Sequence, residues 1–234
     1  MKLLIDIGNT SAKLAVMNDE ILYYERRHES WRDTFSRLMS RYLFSDVRLS
    51  SVAGEDTELN EVLAQLEMPV RWLTAAVPCP IKPIANVPLG LGADRWAADI
   101  GAIAQDPDHT LLVIDAGTCL TYDVIAHEGY MGGAISPGVQ LRLNAMHEHT
   151  ALLPLIEAEQ EAVLLGNDTR THMLSAAVNG TRFEIEGYIR QLQGLYPDLH
   201  VFITGGNTFH FSADITCPIT HDPYLVFRGL SVIA

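Results

Sequence analysis

The fold is decided by one phrase written twice: Leu3-Leu4-Ile5-Asp6-Ile7-Gly8-Asn9-Thr10 at the start of the chain and Leu112-Val113-Ile114-Asp115-Ala116-Gly117-Thr118 near its middle. In each, an apolar run stops at an aspartate and glycine follows two residues on. A short apolar segment then resumes, at Leu14-Ala15-Val16 and at Leu120-Thr121-Tyr122-Asp123-Val124. The pattern reads as strand, tight turn, strand. Glycine lets the backbone turn and lets its amides approach an anion, while Asn9, Thr10 and Thr118 supply short hydrogen-bonding groups. An aspartate would repel a phosphate unless a cation stood between them, so two such aspartates imply a metal-bound nucleotide phosphate chain. Lys13 is the only Lys or Arg close behind either turn, and it suits a phosphate contact as a point charge.

One such turn alone reads as an ordinary hairpin. Two copies, each opening about half of the chain, predict an internal duplication that opens a nucleotide cleft. Val201-Phe202-Ile203-Thr204-Gly205-Gly206-Asn207 adds a third strand end, where a glycine pair lets backbone pass close to a flat ligand such as adenine or ribose.

Around these phrases, strand and helix alternate, which predicts an α/β fold with mixed sheets. Strands are expected over 21–24, 47–52 and 70–73, and helices over 31–43 and 59–66. Residues 75–91 carry four prolines and read as irregular connecting chain. A helix over 94–105 follows. The plan then repeats with strands over 111–125 and 130–135, a Pro137-Gly138 turn and a helix over 139–147. A long helix over 169–195, with Gly180 or Gly187 as a kink point, leads to the strand at Val201. The 218–223 stretch separates it from a last helix over 224–232. The expected halves are residues 1–110 and 111–234.

A chain of 234 residues buries roughly 70–75% of its unfolded surface and needs no staples. Cys79, Cys119 and Cys217 are odd in number and widely spaced, suggesting neither a disulfide framework nor a zinc knuckle and fitting a reducing cytoplasm. A strand that begins at Lys2 leaves no room for a signal peptide, and the apolar runs break well short of a membrane span. A net charge of −13 argues against a nucleic-acid partner, which needs a basic surface to displace phosphate counterions. It does not exclude ATP, whose sites work through local amides, single cations and one or two basic side chains.

Several familiar motifs fail. No Gly-x-x-x-x-Gly-Lys-Ser/Thr loop is present. Gly90-Leu91-Gly92-Ala93-Asp94-Arg95 has Arg where a dinucleotide fingerprint needs its third glycine. Ala134-Ile135-Ser136-Pro137-Gly138 lacks the first glycine of a nucleophile elbow. His127-Glu128 has no second histidine four residues on. Within Gly92 to Arg95, Asp94 reads either as an N-cap or as the acceptor of an attacking alcohol's proton, with Arg95 holding an acidic substrate group. His147 and His149 read as solvated helix-end residues ahead of a metal pair. Thr169 and Arg170 open a helix whose free amides suit an anion, unless Asn167 or Asp168 caps it.

Five motifs in order, Asp6-Ile7-Gly8-Asn9-Thr10-Ser11-Ala12-Lys13, Leu91-Gly92-Ala93-Asp94-Arg95, Asp115-Ala116-Gly117-Thr118, Gly133-Ala134-Ile135-Ser136-Pro137-Gly138 and Thr204-Gly205-Gly206, together resemble the type III pantothenate kinases across nearly the whole chain. The resemblance implies the acetate kinase, sugar kinase, Hsp70 and actin superfamily. Its fold has two duplicated ribonuclease-H-like (actin-like ATPase) halves, with mixed sheets flanked by helices. It implies ATP binding by Asp6, Ile7, Gly8, Asn9, Thr10, Ser11, Ala12 and Lys13 and by Thr118. A monovalent cation, K+ or NH4+, falls to Asp115, proton acceptance to Asp94, and pantothenate binding to Gly92, Ala93, Asp94, Arg95 and Thr169. The implied reaction moves the γ-phosphate of ATP, with Mg2+, to the primary hydroxyl of pantothenate in the first step of coenzyme A synthesis, within a homodimer. One position departs: the family commonly has tyrosine nine residues before the catalytic aspartate, and Ala85 stands there. A superfamily kinase for another small hydroxy acid, or a non-catalytic ATP-binding regulatory relative, are the alternative readings.

Overall fold

The first repeated phrase becomes the central strand of a five-stranded sheet. In this computed structural model, which describes residues 1–207 and 209–233, strand β1 (Lys2–Ile7) pairs antiparallel with β2 (Ala12–Met17), and β2 with β3 (Ile21–Arg26). On its other edge β1 pairs parallel with β4 (Asp46–Ser51), which pairs parallel with β5 (Val70–Trp72), giving the order β3-β2-β1-β4-β5. Leu3 to Ile7 are all buried, as befits a strand covered on both faces. Helices α1 (Trp31–Arg41) and α2 (Thr57–Ala64) bring Phe35, Leu38, Leu59, Val62 and Leu63 onto Leu3, Ile5, Leu14, Val47 and Leu49.

Two further helices, α3 (Ala93–Gln105) and α6 (Leu225–Val232), cross at glycines. A Cβ at Gly229 would stand 1.8 Å from the Ala97 carbonyl oxygen, and one at Gly101 2.2 Å from that of Leu225. Only glycine lets the two backbones touch. The C-terminal helix is also held by charge. Arg48 Nη1 donates to the Ser231 carbonyl at 2.6 Å and to the Ile233 carbonyl, and Lys2 Nζ donates to Ser231 O at 2.7 Å. Cations thus meet the open carbonyls of a helix end.

The second repeated phrase builds a sheet of the same plan. Strand β6 (Thr110–Ala116) pairs antiparallel with β7 (Cys119–Ala126) and β7 with β8 (Gly129–Pro137). β9 (Leu199–Gly205) and β10 (Ile219–His221) add parallel strands on the other side, in the order β10-β9-β6-β7-β8. Its helices are α4 (Val139–Glu148) and α5 (Thr169–Leu195). Met173, Leu174, Ala177, Val178, Ile185 and Ile189 of α5 share a core with Leu112, Ile114, Leu120, Tyr122, Val201 and Ile203.

These elements form two compact units, Met1–Pro107 with the stretch from Tyr224, and Asp108–Pro223. The sequence reading placed the last helix with residues 111–234. The glycine crossing with α3 returns it instead to the elements of the first unit. One local expectation also changes. The 218–223 stretch, read as a separator, contains β10, which extends the ladder beside β9. α5 is helical over all 27 residues, Gly180 and Gly187 included.

Candidate active site

In the first unit the site is set by register. Asp6 is the penultimate residue of β1, opposite Lys13 on β2 and Ser50 on β4. Its carboxylate is buried, with 6% of the residue exposed. Ser50 Oγ donates to Asp6 Oδ1 at 3.0 Å, and Lys13 Nζ lies 3.8 Å from Oδ2. Burial pushes the Asp6 carboxyl above its ordinary value, Lys13 and the Ser50 hydroxyl pull it back, and the charge of Asp94 pushes it further up. The turn after β1 closes with Gly8 N donating to Ser11 O at 3.1 Å, leaving Asn9 and Thr10 exposed.

Asp94 stands at the second position of α3, one past the helix start. Gly92 is the N-cap and makes no side-chain cap bond, so the N-cap reading of Asp94 is set aside. Asp94 Oδ1 accepts from the Arg95 amide at 2.7 Å, and a carboxylate in the first turn is favoured by the helix dipole. A Cβ at Gly92 would lie 2.7 Å from Asp94 Oδ1 and 3.6 Å from Val52 Cγ1. Glycine there leaves the carboxylate its room beside the end of β4. Ala93 is buried, and Arg95 is partly exposed.

The second unit repeats the register. Asp115 is the penultimate residue of β6, opposite Thr121 on β7 and Thr204 on β9, so a hydroxyl residue stands where Ser50 stands beside Asp6. Three turns converge on the end of β6. Gly117 N donates to Cys119 O at 3.1 Å, and a Cβ on Gly117 would come within 3.3 Å of Asp115 Oδ1. Gly138 N donates to Thr118 O at 3.0 Å, and its Cβ would stand 2.3 Å from Gly117 O. The amides of Gly206 and Asn207 and the Asn207 Nδ2 all donate to Ala116 O, at 3.2, 3.3 and 2.9 Å. Gly205, with φ +98°, packs its backbone on Ala116. The close ligand approach expected of this glycine pair thus narrows to Gly206, which has open space where a Cβ would be.

Thr169 opens α5 in the second unit, exposed, and Asp168 caps that helix. Asp168 Oδ1 accepts from Thr171 N at 2.8 Å while Thr171 Oγ1 accepts from Asp168 N at 3.1 Å, a reciprocal capping box. A carboxylate therefore already answers the helix start proposed for an anion, and Arg170 pairs with Glu159. His147 Nδ1 lies 2.7 Å from Leu153 O at an exposed helix end. Ala85 sits on an exposed turn next to Asn86, which takes a left-handed φ of 62°. A depression lined by His109, Arg190, Asp198, Leu199 and Cys217 lies at the amino ends of β6 and β9, the far end from Asp115.

Sequence reasoning missed Ser50, which belongs to no motif and reaches Asp6 only through the pairing of β1 with β4. Asn207 ends the third glycine phrase, but its bond to Ala116 O was not legible there. Among the described residues no three His, Cys, Asp or Glu side chains group to hold a metal ion. One buried carboxylate with phosphate oxygens as further ligands is, however, the arrangement Mg2+ takes, and oxygen donors of this kind fit it.

The comparisons converge. The family described as type III pantothenate kinase matches residues 2–191. A type III pantothenate kinase from Bacteroides fragilis is 41% identical over 100% of this chain and 97% of its own length. One from Phocaeicola vulgatus is 38% identical over the same shares. In fold, ethanolamine utilization protein EutJ from Carboxydothermus hydrogenoformans superposes with a TM-score of 0.56 at 12% identity, covering 100% of this chain and 89% of that one. With the twice-built β3-β2-β1-β4-β5 plan and an aspartate closing each central strand, the chain belongs to the type III pantothenate kinase family.

Proposed function

We propose that this protein transfers the γ-phosphate of ATP to the primary hydroxyl of pantothenate, giving 4'-phosphopantothenate, the first step of coenzyme A synthesis. The observation that carries the reading is the buried Asp6, bonded to Ser50 and faced by Lys13, within electrostatic reach of Asp94 at the start of α3. The acceptor oxygen forms a bond to the γ-phosphorus as the bond from that phosphorus to the β,γ-bridging oxygen breaks, and ADP leaves. Asp94 takes the hydroxyl proton. The proton needs to leave only late, because phosphoryl transfer is mostly positioning and charge stabilisation.

The phosphates fall to the backbone from Ile7 to Ala12, to the Lys13 ammonium and to Thr118. Mg2+, when bound, neutralises charge on the phosphates, and Asp6 is the residue that would hold it. A monovalent cation, K+ or NH4+, falls to Asp115. Gly92, Ala93 and Arg95 would line the pantothenate site with Asp94. Thr169 would join through its hydroxyl, since Asp168 already bonds the helix amides. Exposed Met131 and Ile135, four residues apart on one face of β8, suit a surface that a second copy covers, supporting a homodimer. Among the described residues no helix is long and apolar enough to cross a membrane, and a cytoplasmic location fits the free cysteines.

Ala85 favours a second reading, a kinase for another small hydroxy acid, because an exposed alanine offers little contact surface where tyrosine is usual. The deciding experiment is ADP release with ATP and Mg2+, pantothenate against a panel of hydroxy acids, in K+ and in Na+. Potassium-dependent turnover with pantothenate is expected. Silence with every acceptor while ATP still binds would leave a non-catalytic role. Asp94→Asn is expected to abolish turnover and spare ATP binding.

A further inference from the structure

A polar network centred on Glu184, a residue outside every motif, lies behind the second aspartate turn. Glu184, on α5, accepts three donors from three other elements: Tyr122 Oη of β7 at 3.0 Å, Ser136 Oγ of β8 at 2.5 Å, and the Arg142 guanidinium of α4. Arg142 in turn donates through Nε to the Pro137 carbonyl at 2.8 Å and through Nη2 to Ser136 Oγ at 3.2 Å. Tyr188 stacks on Tyr122 with ring centroids 4.3 Å apart. A Cβ at Gly180, one turn before Glu184, would stand 3.9 Å from Arg142 Nη1. Glu184 and Arg142 are both about three-quarters buried. Burial pushes the Glu184 carboxyl up, and the bonds from Ser136, Arg142 and Tyr122 outweigh it, so the group stays below its ordinary value.

Two of the residues this network grips lead directly into Gly138. That residue's amide bonds Thr118 O at 3.0 Å, and its backbone touches Gly117. Ser136 and Pro137, held by Glu184 and Arg142, immediately precede it. We propose that Glu184, through Arg142 and Ser136, is a positioning residue for nucleotide binding: it fixes the Pro137–Gly138 turn, and that turn fixes Gly117 and Thr118. The inference rests on the reading that this turn receives ATP. A charge-assisted cluster with its donors satisfied holds a turn more rigidly than isolated hydrogen bonds do, and small displacements of positioning groups are costly.

The test compares Glu184→Gln and the milder Ser136→Ala with the wild type. Affinity for a non-hydrolysable ATP analogue is measured by calorimetry, together with KM for each substrate and thermal unfolding. Glu184→Gln is expected to weaken the analogue by about tenfold with the KM for pantothenate unmoved, and Ser136→Ala to weaken it less. Arg190→Met, on the same helix as Glu184, breaks the ion pairs to Glu186 and to Asp214 beyond β9, and is expected to lower the unfolding temperature and leave the analogue's affinity alone. Folded Glu184→Gln and Ser136→Ala proteins that bind the analogue as the wild type does would overturn the proposal. So would Arg190→Met weakening binding as much as Glu184→Gln does. If Glu184→Gln does not fold, Ser136→Ala decides. A wild type that binds the analogue but phosphorylates no pantothenate would sink the acceptor assignment alone, and one that binds no analogue would sink both.

Discussion

Asp6 shows how a single side chain trades stability for chemistry. A carboxylate with 6% of its residue exposed loses hydration that one hydroxyl and an ammonium 3.8 Å away replace only in part. Asp6→Asn is therefore expected to unfold no more readily than the wild type, and at a higher temperature if burial outweighs the Lys13 pairing, while MgATP affinity collapses. A melt several degrees lower would show that the pairing wins. Ser50→Ala removes a hydrogen bond to a buried charge, worth about 2 kcal/mol. It is expected to lower stability by that order in a denaturant titration and to raise the KM for ATP, with Ser50→Thr restoring much of both. The Asp-x-Gly phrase could be read from the chain alone. Ser50 could not, since 44 residues separate it from Asp6 and only the parallel β1/β4 register joins them.

At the scale of elements, the crossing of α3 and α6 is the most demanding contact. Gly229→Ala places a methyl 1.8 Å from the Ala97 carbonyl, so the helices must separate, at a cost of about 1–3 kcal/mol or more. Because α3 carries Asp94 at its start, kcat is expected to fall with stability, as denaturation and steady-state kinetics would report. Gly187 is the contrasting case. It lies inside α5 with nothing within 4 Å of its would-be Cβ, and Gly187→Ala is expected to stabilise by about 0.5–1 kcal/mol without touching activity. Helix boundaries were legible to within a few residues where apolar spacing or a preceding glycine turn marked them, as at α1, α3 and α4. The three-residue β10 was not, because so short a strand between two prolines exists only by pairing with β9.

Across the whole chain, acid stability should follow the carboxylates that hold elements together. Burial pushes Asp46 up, but its bonds to Arg48 and Arg71 outweigh that and leave it below its ordinary value. Glu184 behaves alike. Groups depressed in the folded state contribute stability that is complete above their unfolded values. It is lost as pH falls through the folded ones, so denaturation midpoints should hold steady above about pH 5 and drop below about pH 4. Asp46→Asn should flatten that drop. It should also destabilise at pH 7 by about 3 kcal/mol, since Arg48 is left buried with its charge unpaired.

The sequence by itself determined the two aspartate-ended strands, the alternation that makes each half α/β and the family resemblance, because these rest on local periodicity and turn chemistry that neighbouring residues carry. Tertiary structure alone decided which hydroxyl meets Asp6, that Gly205 serves packing while Gly206 stays open, and that Glu184 grips the turn behind Gly138. It also returned the last helix to the first unit. Each depends on contacts between residues far apart in the chain, set by strand register and by how closely backbones approach, and no local pattern encodes either.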